Sequence, residues 1–127
     1  MNQSGNVLAF LGDAYLSLQV RSYLIDLGYN QLKKMQETSV LFVSAEGQAK
    51  FMNQLLEDNL ISEDEMIYYK RGRNAKSRSM AKNAEMIDYR VATGLESLWG
   101  YLYLKEDFQR LDQLWSLFKE SVGLNNA

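Results

Sequence analysis

The sequence predicts an all-α fold, a bundle of helices, on three observations. There is no proline anywhere in the 127 residues. Runs of β-branched residues are few, and capping residues joined by short connections punctuate the apolar segments. Asn6 is placed to cap a first helix that runs to about Leu27, with Val7, Phe10, Leu11, Ala14, Tyr15, Leu18 and Leu24 as its core stripe and Gly28 as its stop. Gly12 inside that helix costs about 1 kcal/mol relative to alanine, so another helix is expected to pass close by. Asn30 would cap a second helix, from Gln31 to about Val40, with Lys33, Lys34 and Gln36 facing outward.

Ser44 would cap a third helix containing Ala45, Phe51, Met52, Leu55 and Leu56. Ser62-Glu63-Asp64-Glu65 is a capping-box pattern opening a fourth, and its acids suit the positive end of that helix. This helix runs into a basic stretch in which Gly72, Asn74, Ser77 and Ser79 weaken helical continuity. Lys82 to Ala84 lead into a fifth helix, with Asp88 as candidate cap. A sixth, about Glu106 to Val122, should turn Phe108, Leu111, Leu114, Trp115 and Phe118 inward. No repeat or linker interrupts the order, and the length suits one domain spanning residues 1–127.

Composition narrows the chemistry. Cysteine and histidine are both absent, which removes disulfides, thiol nucleophiles, the usual general base near neutral pH and the commonest zinc ligand. Hydrolytic chemistry would have to rest on carboxylates, Lys, Tyr or Ser, or on a hard metal held by oxygen. Fourteen basic and sixteen acidic residues leave a net charge of −2, which argues against a general nucleic-acid binder, but the charges are unevenly placed. Residues 70–82 carry six bases and no acid, while residues 57–65 carry five acids and no base. The chain opens without a signal-peptide pattern, and the apolar run from Val91 to Leu104 falls short of the ~20 residues that cross a bilayer. A cytoplasmic protein with no membrane partner is expected.

Two carboxylates stand out against apolar surroundings. Asp13 interrupts Leu8-Ala9-Phe10-Leu11-Gly12-Asp13-Ala14-Tyr15-Leu16, and Glu96 is the one charge between Val91 and Leu104. A carboxylate deprived of water needs a cation or donors beside it. Structural ion pairs would meet that need, and so would a divalent metal, since carboxylates plus waters and substrate phosphate make the all-oxygen site Mg²⁺ prefers. The basic stretch reads either as a solvated loop or as a phosphate-binding one. Aromatic residues are scarce within it, which favours a duplex over a stacked single strand.

Phe10-Leu11-Gly12-Asp13-Ala14 followed by Leu95-Glu96-Ser97-Leu98-Trp99-Gly100-Tyr101-Leu102-Tyr103-Leu104 resembles the paired signature of the ribonuclease III catalytic domain. With Lys70-Arg71-Gly72-Arg73-Asn74-Ala75-Lys76-Ser77, Lys82-Asn83 and Tyr89-Arg90, the pattern resembles its short branch, the Mini-ribonuclease III family, over roughly Val7 to Gly123. The resemblance implies a ribonuclease III-type helical endonuclease domain without a separate double-stranded-RNA-binding domain, working as a two-fold homodimer. It implies Asp13 and Glu96 as catalytic residues and ligands of Mg²⁺ or Mn²⁺, and hydrolysis that leaves 5′-phosphate and 3′-hydroxyl ends. Lys70, Arg71, Arg73, Asn74, Lys76, Ser77, Arg78 and Lys82 become the RNA-binding set, with Lys33 and Lys34 as further candidates.

The expected substrate is double-stranded RNA, the precursor of 23S ribosomal RNA in particular, with a ribosomal protein as a possible helper. Longer relatives carry further acids one turn before each carboxylate, where Ala9 and Thr93 stand here. That departure leaves open a rival reading, a non-catalytic RNA-binding or ribosome-associated relative. Leu98, Trp99, Leu102 and Tyr103 are the expected subunit interface, because the fifth helix holds more apolar residues than one core face needs.

Overall fold

The computed structural model describes residues 1–76 and 84–125. It consists of six helices: α1 (Gly5–Asp26), α2 (Leu32–Val43), α3 (Ala45–Glu57), α4 (Glu63–Arg73), α5 (Ala84–Leu104) and α6 (Phe108–Val122). The all-α expectation holds. Ser44 caps α3 by accepting from the Gly47 amide. Ser62 and Glu65 form the full reciprocal capping box of α4. Three caps differ from expectation: Ser4 rather than Asn6 caps α1, Gln31 rather than Asn30 holds the cap position of α2 and makes no side-chain cap bond, and Asp88 lies inside α5 rather than at its start. Asp107 caps α6, which ends on Gly123 in the left-handed conformation, φ +69°.

Helix α5 is the axis of the fold, with α1, α3 and α4 packed around it. From Val91 to Leu102 nearly every residue is buried, and Leu95, Leu98 and Trp99 are wholly so. A helix apolar on all sides must be enclosed. Here the chain's own helices enclose it, and this corrects the expected subunit interface, since Leu98, Trp99 and Leu102 are spent on the core and Tyr103 alone of the four is exposed.

Helix α1 also departs from expectation. Its buried face is Gly5, Leu8, Ala9, Gly12, Leu16, Val20 and Leu24, whereas Val7, Phe10, Ala14 and Leu18 point to solvent. Apolar residues surround the helix, so periodicity does not choose a face; the small residues do. A Cβ on Gly12 would collide with the Glu96 carbonyl oxygen and approach the Gly100 amide nitrogen, and one on Gly100 would collide with the Leu8 carbonyl oxygen. α1 and α5 therefore cross backbone to backbone, as the glycine inside α1 suggested.

Elsewhere in the core Phe51 stacks on Phe118 at 4.3 Å, Phe42 and Trp115 pack edge to face on Phe118, and Tyr23 packs edge to face on Phe42 and Trp115. Leu111, Leu114, Trp115 and Phe118 face inward as expected, but Phe108 is half exposed. Arg110 ties α6 to α4, with its Nε 2.7 Å from Glu65 and an Nη donating to the Leu60 carbonyl. Among the described residues no helix is long and apolar enough to cross a membrane.

Candidate active site

The glycine crossing of α1 and α5 brings the two sequence-predicted acids together. Asp13 follows Gly12, whose backbone abuts the Glu96 carbonyl, and the Asp13 carboxyl lies close enough to Glu96 to disfavour its charged form. Glu96 is half-buried while Asp13 is exposed, so the expectation that both are deprived of water is right for Glu96 alone. Burial, followed by the hydrogen-bonding and like charge of Asp13, pushes the Glu96 carboxyl up to about 7, against a lowering hydrogen bond from Gln48. No basic side chain among the described residues forms an ion pair with either acid.

The arrangement fits a divalent cation. Two adjacent carboxylates, one poorly solvated, repel each other until a positive charge lies between them, and oxygen donors without nitrogen or sulfur suit a hard ion. The described residues hold no cluster of three or more potential ligands. Ala9 and Thr93 are buried at the helix contact, and the Thr93 hydroxyl donates back to the Tyr89 carbonyl at 2.9 Å. Neither offers a ligand.

Gly72 packs on Thr93, Gly94 and Ser97, so the C-terminal end of α4, which carries Lys70, Arg71 and Arg73, lies against the middle of α5. Lys70, Asn74 and Lys76 are exposed there. Arg73, Asn74, Ala75, Lys76 and Arg90 line a cleft of about 460 Å³. Arg71 has other work: its Nη1 donates to the Met1 and Gln3 carbonyls, both at 3.0 Å, and its guanidinium sits over the Tyr68 ring. Asn6 donates to the Lys76 carbonyl and so anchors the end of the stretch to α1. Ser77, Arg78 and Lys82 lie outside the described residues. Lys33 and Lys34 are exposed on α2, where Lys34 reaches over the Tyr29 ring.

Sequence reasoning missed two residues. Arg90 belongs to the basic cleft, and its signal was a lone cation one and a half turns before Glu96. Gln48 is buried on α3, and its Nε2 donates to Glu96 Oε2 at 3.1 Å and to the Val43 carbonyl at 3.2 Å. A glutamine in an amphipathic helix announces nothing, so Gln48 had no signal.

Comparison with known proteins identifies the family. The model of the ribonuclease III domain matches residues 6–107. A Mini-ribonuclease 3 of Enterococcus faecalis is 42% identical over 123 residues, covering 97% of this chain and 93% of the relative. That of Streptococcus pneumoniae is 41% identical over 113 residues, covering 89% and 88%. A Fusobacterium nucleatum protein solved by X-ray crystallography superposes with a TM-score of 0.80 at 27% identity, covering 91% of this chain and 93% of that one. The ribonuclease III family is in general divalent-metal dependent and typically dimeric. The chain belongs to the ribonuclease III family, in its Mini-ribonuclease III branch, and is an endoribonuclease of the type that acts on double-stranded RNA.

Proposed function

We propose that this chain is a Mg²⁺-dependent endoribonuclease, Mn²⁺ being an alternative ion, which cuts duplex RNA in the cytosol as a homodimer and trims the ends of the 23S ribosomal RNA precursor. The observation that carries the reading is the meeting of Asp13 and Glu96 at the α1–α5 crossing, with no cation among the described residues paired to either. A divalent ion held there supplies positive charge to the scissile phosphate and acidifies water within its reach. Glu96 is held from α3 by Gln48, and Asp13 meets solvent from the exposed side. The intact acid pair, on a chain that also carries a basic cleft, speaks against the non-catalytic reading.

Lys70, Arg73, Asn74, Lys76 and Arg90 are the described residues proposed to bind the backbone of the duplex, with Ser77, Arg78 and Lys82 completing the set. Arg71 contributes charge while its hydrogen bonds shape the surface. The dimer is proposed through α1. Phe10 is 84% exposed, Leu18 64% and Val7 54%, a stripe with Asp13 at its margin. A two-fold axis there sets one acid pair against each strand of a duplex, whose strands are themselves related by a local two-fold axis. Incubating a long RNA duplex with the protein and Mg²⁺ tests the reading, with EDTA and Asp13→Asn as controls. Cleavage by the variant at the wild-type rate would remove Asp13 from the site.

A further inference from the structure

Gln48 is 1% exposed and sits among Ala49, Phe51 and Met52 in the buried face of α3. Its Nε2 places its two hydrogen bonds on acceptors, the Glu96 carboxylate and the Val43 carbonyl. The amide can therefore lie only one way round, since the flipped form would set its oxygen against two other oxygens. In that orientation Oε1 is buried without a partner among the described residues. An unsatisfied buried acceptor weakens a fold, and an apolar side chain of the same length would fill the space without it.

We propose that Gln48 is a positioning residue for a divalent cation bound by Asp13 and Glu96; the proposal rests on the reading of those two acids as ligands. A glutamate side chain has three rotatable bonds, and Ala9 and Thr93 leave no further carboxylate to hold an ion if Glu96 swings away. The 3.1 Å hydrogen bond fixes Glu96 toward Asp13 before any ion arrives. Carboxylates that bind metals are commonly oriented by such a hydrogen bond, and losing it typically lowers metal affinity roughly 10- to 100-fold. The polar amide is kept in the core for the site and not for packing.

Gln48→Met keeps the length of the side chain and deletes both amide atoms. Mn²⁺ binding to the RNA-free protein is measured by electron paramagnetic resonance, alongside a thermal melt in EDTA and the kinetics of duplex cleavage in Mg²⁺. The expected result is a cooperative melt, a Mn²⁺ Kd raised roughly 10- to 100-fold, and a fall in kcat at low Mg²⁺ that excess Mg²⁺ restores, with KM for the duplex unchanged. A folded variant that binds Mn²⁺ as the wild type does would overturn the proposal.

Should the variant not fold, the side-chain amide resonances of wild-type Gln48 decide. They are expected to exchange slowly with solvent and to broaden when Mn²⁺ is added, together with the backbone amides of Asp13 and Glu96. Fast exchange, or sharp Gln48 signals while Asp13 and Glu96 broaden, overturns the role of Gln48 and leaves the metal site standing. If Mn²⁺ broadens none of the three, the metal site itself is misplaced.

Discussion

Glu96→Gln should stabilise the metal-free protein, and by an amount that depends on pH. Burial and Asp13 raise the Glu96 carboxyl from 4.5 to about 7 in the folded chain. Below pH 4.5 the carboxyl is protonated in folded and unfolded chains alike. Between 4.5 and 7 the folded protein holds a proton that the unfolded chain has released, so stability is lost as pH rises through this window and levels off above it. Each unit corresponds to about 1.4 kcal/mol, which bounds the loss at roughly 3 kcal/mol. Partial exposure of Glu96 and its coupling to Asp13 bring the expected figure nearer 2 kcal/mol, or about 8 °C in Tm for a chain of this size.

Glutamine is neutral throughout and places no like charge beside Asp13. The assay is a series of thermal melts of both proteins in EDTA from pH 4.5 to 9. The gap between the curves should open across that range and stay constant above pH 8. Adding Mg²⁺ at pH 8 should then raise the wild type by mass action and leave the variant where it was. Parallel curves at all pH values would refute the argument, because they would mean that Glu96 ionises as freely in the fold as in the unfolded chain.

Gly12→Ala should be among the most damaging single-methyl additions in the chain, since its Cβ meets the Glu96 carbonyl and the α5 backbone cannot yield without separating the acids. We expect a loss of about 3 kcal/mol or more, read by urea denaturation; an unchanged midpoint would show that the helices do not cross there. Phe10→Asp should leave helicity intact and convert the dimer to a monomer in sedimentation equilibrium, whereas persistence of the dimer would place the interface elsewhere. Replacing Lys70, Arg73, Lys76 and Arg90 with Ala together should flatten the salt dependence of duplex binding. Each lost phosphate contact removes about 0.9 from the slope of log K against log salt at the charge density of B-DNA, and an unchanged slope would remove the cleft from the RNA-binding surface.

Much of this protein is written locally. Helix caps act over three or four residues, so Ser44, Ser62 and Glu65 could be read directly and appear as expected. Isolated charges in apolar runs are also local, and that exposed Asp13 and Glu96 although 83 residues separate them. Gly12 announced a close approach without naming its partner. Only the tertiary structure decided which side of α1 is buried, because a helix with apolar residues all round presents no preferred face until Gly12 and Gly100 let α5 approach. The same packing turned Leu98, Trp99 and Leu102 from a candidate interface into core and left Phe10 uncovered. It also recruited Gln48, whose significance lies entirely in the Glu96 carboxyl opposite it, across helices that the sequence does not place side by side.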